Sequence, residues 1–225
     1  MIQIAIDGPS GAGKSTIAKA VAKRLNYLYV DTGALYRAIG WAALTRGIDY
    51  HNADVVAPML PKISVDLVYE NGVQKVLLDG EDVSEQIRLP EASMAASGIS
   101  ALPCVRQYLL DTQREIANKN NVLMDGRDIG TVVLPNAQVK IFLTASAEIR
   151  AKRRLIELQE KGVPSTYQEV LDDMIKRDYN DSHRAIAPLK QAEDAVLVDT
   201  SELDLEQSIE AVYRCIINKV NSLEG

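Results

Sequence analysis

Short apolar, β-rich runs alternate along the chain with stretches whose apolar positions recur every three or four residues. That alternation predicts βα units arranged around a parallel sheet. Residues 2–6 read as a buried strand. Residues 15–25 read as a helix, with Ile17, Val21 and Leu25 on one face and Lys19, Lys23 and Arg24 largely off it. A second short strand follows at 27–30, then a helix over 32–46 that Gly47 ends. The period then changes. Residues 63–69 alternate, Asn71-Gly72 is a hairpin signal, 73–78 alternate less well, and Asp79-Gly80 offers a second turn. An antiparallel meander thus interrupts a parallel series, which predicts an inserted subdomain over 58–91. Helix returns over 92–118, broken near Pro103. Residues 122–124 and 139–143 give the third and fourth core strands, and 195–198 the fifth. Helices are expected over 148–161, 167–181 and 205–220, with a loop at 162–165. The fold class expected is α/β: a doubly wound, five-stranded parallel sheet with helices on both faces. Residues 1–57 and 92–225 would form the core, and 58–91 a small antiparallel β insert.

Composition narrows the function without choosing it. With 225 residues, 47% of them hydrophobic, the chain can bury roughly 70–75% of its unfolded surface and needs no disulfide or metal to hold a core. Lys and Arg number 25 against 31 Asp and Glu, a net charge of −6, which argues against a nucleic-acid polymer or an anionic membrane as partner. A local cationic site remains compatible with it. The two cysteines, Cys104 and Cys215, make no CxxC pair and read as reduced core thiols. No basic leader and no apolar run of ~20 residues is present, so a cytoplasmic location is expected.

The segment Gly8-Pro9-Ser10-Gly11-Ala12-Gly13-Lys14-Ser15 satisfies GxxxxGK[ST], followed by Thr16. It follows a predicted strand and opens a predicted helix, the context in which such a loop binds nucleotide phosphates. Backbone N–H groups converge there, and the helix N-terminus adds partial positive charge. Lys14 can reach the β- and γ-phosphates, and the Ser15 hydroxyl can ligate Mg²⁺. ATP or GTP binding follows, but not the reaction. Asn118-Lys119-Asn120-Asn121 and Asn218-Lys219-Val220-Asn221 both lack the Asp needed to read guanine, which argues against a small GTPase.

Polar segments after the strands are more discriminating, because ligands of parallel sheets sit beyond strand C-terminal ends. Asp31-Thr32-Gly33-Ala34-Leu35-Tyr36-Arg37 follows the second strand, and Asp125-Gly126-Arg127-Asp128 the third. Arg177, Asp181 and Arg184 are spaced to share a face if their helix continues that far, and Arg150, Arg153 and Arg154 share another. Such arginines suit a second anionic substrate, since phosphoryl transfer is mostly positioning and charge neutralisation.

On IDGPSGAGKST at 6–16, DTGALYR at 31–37, DGRDIGTVV at 125–133, KIFLTAS at 140–146 and HRAIAPL at 183–189, the whole chain resembles the bacterial cytidylate kinases. That resemblance implies a nucleoside monophosphate kinase fold with a helical lid at about 150–165, ATP as donor, Mg²⁺ as cofactor, CMP and dCMP as substrates, and a monomer. It places Ser97, Arg106 and Asp128 at cytosine, with Thr32 standing where the family usually has Ser. Arg37 and Arg127 fall at the acceptor phosphate, Arg184 at phosphate or sugar, and Arg177 with Asp181 near the sugar. Arg153 and Arg154 fall where lid arginines close on ATP, and Asp125 where an acid would hold Mg²⁺ through water. Lys14, Arg127 and Arg184 are the expected catalytic residues. Cytosine presents an amine at N4 that a carboxylate can accept, whereas uracil presents a carbonyl. The acceptor oxygen is already anionic, so no strong base is needed, and His51 and His183 are not expected to catalyse. Two alternatives stand beside this reading: a kinase for UMP, AMP or another small acceptor, and a nucleotide-dependent switch without enzymatic turnover.

Overall fold

The computed structural model describes residues 1–70, 73–160 and 162–224. In chain order its elements are β1 (Gln3–Asp7), α1 (Lys14–Leu25), β2 (Leu28–Asp31), α2 (Thr32–Thr45), α3 (Ala53–Val56), β3 (Val65–Glu70), β4 (Val73–Leu78), β5 (Glu81–Asp82), α4 (Pro90–Ile99), α5 (Pro103–Lys119), β6 (Val122–Gly126), β7 (Val139–Thr144), α6 (Ala147–Glu160), α7 (Tyr167–His183), β8 (Val196–Asp199) and α8 (Leu205–Glu224). The predicted Asn71-Gly72 turn lies outside the described residues, as does Lys161 at the end of the helix predicted over 148–161. Where one broken helix is expected at 92–118 there are two, each beginning on a proline, whose fixed φ and missing N–H suit a first helical position. One turn of π-helix, Ile129–Val133, carried no sequence signal. No described helix is long and apolar enough to cross a membrane.

The chain divides into two compact units, Met1–Tyr29 with Asn120–Gly225, and Val30–Lys119. The five-stranded sheet has the order β2-β6-β1-β7-β8, and the first unit holds β1, β6, β7, β8 and the start of β2. β1 pairs in parallel with β6 and with β7, and β7 in parallel with β8. Helices cover the sheet, so its central strands are apolar at successive positions rather than alternating. Ile4, Ile6, Leu123, Ile141 and Leu143 are all almost fully buried, packed with Ile17 and Val21 of α1 and Val212 and Ile216 of α8. Each such side chain contributes about 1.5–3 kcal/mol.

In the second unit, β3, β4 and β5 form the antiparallel meander, with Val65 opposite Leu78 and Leu77 opposite Asp82. Its apolar face, Val65, Val76 and Leu78, packs into a core with Leu35 and Ile39 of α2, Ile99 of α4 and Leu109 of α5.

Asp7 closes β1 and is only 4% exposed. Its two carboxylate oxygens accept from Ile129 N and Gly130 N, both at 2.7 Å. These are opening N–H groups of the π-helical turn, and buried donors of that kind need a partner. Burial pushes the Asp7 carboxyl up to about 6 from its ordinary 3.8, with Asp128 adding to the rise, while the two N–H bonds and Lys14 oppose it. A raised acid binds its proton more tightly in the folded state. Asp7 therefore favours the fold most below about pH 4, and that contribution is lost as the pH rises through 6. The difference amounts to about 3 kcal/mol. In urea unfolding, the stability of the wild type relative to Asp7→Asn should fall by about that amount between pH 4 and pH 7. A difference independent of pH would contradict this account of Asp7.

Candidate active site

The phosphate loop leaves β1 at Gly8, whose φ is +152°. A Cβ there would come within 1.9 Å of the Leu143 carbonyl oxygen, so only glycine fits between the strand end and β7. The loop runs into α1, whose first turn carries no side-chain cap, so its N–H groups stay available to an anion. The Lys14 Nζ donates to the Pro9 carbonyl at 2.6 Å. Burial holds its pKa well below the usual lysine value and the Arg127 charge lowers it further, against the raising effect of Asp125, Asp7 and Asp181.

Ser15 and Asp125, far apart in sequence, are joined by a hydrogen bond. Ser15 Oγ donates to Asp125 Oδ2 at 2.9 Å, and Tyr29 donates its hydroxyl to Oδ1, also at 2.9 Å. This hydroxyl and carboxylate are hard oxygen donors of the kind that hold Mg²⁺ together with phosphate oxygens, so the residues present fit that cation.

The four residues Arg127, Asp128, Asp181 and Arg184 lie close together in the same unit. Arg127 Nε donates to Asp181 Oδ2 at 2.8 Å. Arg184 places one guanidinium nitrogen 3.8 Å from Asp181 Oδ1 and another 3.8 Å from Asp128 Oδ1. Burial raises the Asp181 carboxyl, but the charges of Arg127, Arg184 and Arg177 outweigh it and hold the pKa below the ordinary value. α7 ends at His183, so Arg184 follows the helix in extended backbone instead of continuing its face. It is turned back by donating Nε to the Ala187 carbonyl at 2.7 Å. Ala187 itself takes φ +48°, a rare conformation for a residue with a side chain.

α6 separates the three arginines that its sequence groups. Arg150 is buried and donates to the carbonyls of Ala145 and Ser10, at 2.8 and 2.9 Å, and to Asp178 at 2.6 Å. It thereby ties the phosphate loop to both α6 and α7. Arg153 donates to the Thr200 carbonyl at 2.7 Å, and Arg154 pairs at the surface with Glu157.

In the second unit, Asp31 caps α2 by accepting from Ala34 N at 3.0 Å and pairs with Arg37 at 2.8 Å. Thr32, the first residue of α2, is buried. Arg106 on α5 donates to the Ser100 carbonyl at 3.1 Å and lies 5.7 Å above the Tyr36 ring. Ser97, one turn earlier on α4, accepts from the Ser100 hydroxyl through its carbonyl. His51 lies against Gly98, and His183 stacks on Tyr179, so both histidines have packing roles.

Sequence reasoning gave Asp7 and Tyr29 no role, and it named Asp31 and Arg150 without their partners. The one signal available was an acid ending an apolar strand, present at Asp7 and Asp31 as it is at Asp125.

The cytidylate kinase family model matches residues 4–218. A cytidylate kinase of Caldicellulosiruptor bescii is 49% identical over 223 residues, covering 97% of this chain and 99% of its own. One from Caldanaerobacter subterraneus subsp. tengcongensis is 50% identical over 215 residues, covering 96% and 94%. Among solved structures, a shikimate kinase from Bacteroides thetaiotaomicron aligns with a TM-score of 0.50 at 16% identity over 96% of this chain and 98% of that one, a likeness of fold alone. By the family model's match over residues 4–218 and relatives about 49–50% identical over 96–97% of its length, the chain belongs to the cytidylate kinase family.

Proposed function

We propose that this protein transfers the γ-phosphoryl group of ATP to CMP and dCMP, giving CDP and dCDP. The observation that carries the reading is the coexistence, in one unit, of a complete phosphate loop with the cluster of Arg127, Asp128, Asp181 and Arg184. One element suits a nucleotide donor and the other a second, anionic acceptor. Gly8 to Thr16 cradle the ATP phosphates, and Lys14 leaves the Pro9 carbonyl for the β- and γ-oxygens. Ser15 and Asp125 hold Mg²⁺, which when bound neutralises phosphate charge. Arg37, Arg127 and Arg184 neutralise the acceptor phosphate, with Arg177 and Asp181 at the sugar and Thr32 contacting the nucleotide through its hydroxyl. Ser97, Arg106 and Asp128 read cytosine, with Asp128 accepting from the N4 amine. An oxygen of the acceptor phosphate attacks in line, and no side chain has to remove a proton from it.

Residues 150–165 act as the lid, with Arg150 as its fixed root. Arg153 and Arg154 face ATP when the lid closes and excludes water. The 58–91 meander enlarges the CMP-binding region. The enzyme works as a monomer in the cytoplasm, on small nucleotides and not on a nucleic-acid polymer or membrane.

An acceptor panel with MgATP tests the assignment. ADP formation should be fastest with CMP and dCMP; a clear preference for UMP or AMP would overturn it. For Asp128→Asn, the amide can still offer its oxygen to N4 of cytosine but can also turn its NH₂ group to the O4 carbonyl of uracil, so the ratio of kcat/KM for CMP over UMP should fall by about 10-fold or more, a mismatched buried polar group costing about 1–3 kcal/mol. Replacing Lys14 by Met should lower kcat by about 10²–10³-fold, the usual cost of one electrostatic donor to the developing charge, with the fold intact by circular dichroism.

A further inference from the structure

We propose that Asp7 is a positioning residue for base selection: its carboxylate fixes the backbone that aims Asp128. The proposal rests on the reading of Asp128 as the group that recognises cytosine.

Asp128 occupies an unusual place in the chain. It lies between β6 and the π-helical turn, with φ −145° and ψ 25°, outside the main strand and helix regions. Its carbonyl accepts from Val132 N at 2.9 Å and Val133 N at 3.2 Å, which commits the following residues to the turn. The turn is short and inside the protein, with Ile129 and Gly130 both buried. Its leading N–H groups have no earlier helical carbonyl to bond. Asp7 supplies both acceptors from another strand, 122 and 123 residues away in sequence, through bonds of 2.7 Å. In the sheet, Asp7 lies opposite Gly126, two residues before Asp128, and opposite Phe142 on the other side. The segment carrying Asp128 is thus held upstream by the β1–β6 ladder and downstream by the Asp7 carboxylate.

A carboxylate does here what no other side chain of its length does. Both oxygens accept, and two N–H groups converge on them. An Asn amide of the same shape has one oxygen and one NH₂ group, so one of the two backbone donors would face another donor. One end of the turn would then lose its anchor, and the Asp128 side chain would sample directions other than the one that meets N4. Asp7 also immediately precedes Gly8, so one residue ends the strand that opens the phosphate loop and anchors the segment that selects the acceptor base. Asp7 is only 4% exposed, and this withdrawal from water is what raises its pKa.

The test is a specificity measurement on the full chain. For Asp7→Asn, the ratio of kcat/KM for CMP over UMP should fall by about 10-fold, corresponding to about 1.4 kcal/mol of lost discrimination. A residue that only supported the fold would lower the thermal midpoint and slow both acceptors alike, leaving the ratio intact, and that result would overturn the proposal. Should Asp7→Asn fail to fold, Gly130→Ala decides: a Cβ at 130 would lie 3.3 Å from Asp7 Oδ2 and 3.1 Å from Lys140 Cδ, crowding the same contact without altering its charge. The same fall in ratio is expected of it, and an unchanged ratio would again overturn the proposal. Asp128→Asn in the same assay separates the two readings. If it shifts the ratio and neither of the others does, Asp128 selects the base without help from Asp7. If it too leaves the ratio unchanged, the base-reading role of Asp128 fails and the positioning role fails with it.

Discussion

Cations that are to receive phosphates must first be held together without them. Like charges brought within a few ångströms repel, and burial removes the water that would screen them. The structure meets this constraint with buried acids. Asp181 lies against Arg127 and Arg184, and Asp128 also faces Arg184. Asp125 and Asp7 add negative potential at Lys14. A phosphate arriving at such a cluster meets cations already aimed, and the acids keep that aim in its absence. The net charge of −6 describes the chain as a whole, whereas the working groups are a local set of paired charges.

The sheet determines where these acids can stand. β1 and β6 run parallel and in register, so Asp7 lies opposite Gly126 and Ile6 opposite Asp125. The phosphate loop and the segment carrying Arg127 and Asp128 therefore leave the same edge of the same unit. A one-residue slip between the strands would send Ile4, Ile6, Leu123 and Met124 to the opposite face of the sheet and break their packing. Positions in the site thus inherit their precision from apolar packing several residues away. Arg150 extends that rigidity to α6 and α7, since a guanidinium held by two carbonyls and a carboxylate has little freedom left.

Membership of the cytidylate kinase family and the proposed transfer between two nucleotides agree with this arrangement. The acceptor is already ionised, so the chemistry asks for orientation and charge neutralisation more than for proton transfer. The histidines accordingly pack against tyrosine rings, His51 beside Tyr50 and His183 beside Tyr179.

Several features were legible in the residue order because they are local. The phosphate loop is a contiguous motif, the five strands are contiguous apolar runs, and the meander shows itself by a change of period. The separation of Pro90–Ile99 from Pro103–Lys119 was partly legible at Pro103, for the same reason. What the order of residues left open depends on partners far apart in the chain. Asp7 reads as a strand end until Ile129 and Gly130 are brought to it, and Tyr29 as strand packing until Asp125 is. Arg150, Arg153 and Arg154 look equivalent on one helical face, yet one anchors the phosphate loop, one binds the Thr200 carbonyl and one lies at the surface. Helical periodicity reports only that side chains share a face; which acceptors that face meets is set by tertiary packing. By itself, then, the sequence determined the fold class, the family and the donor loop, all carried by local pattern. Only the tertiary structure decided which buried acid holds which cation or backbone donor, because those bonds span up to 123 residues and exist only once the sheet has aligned their ends.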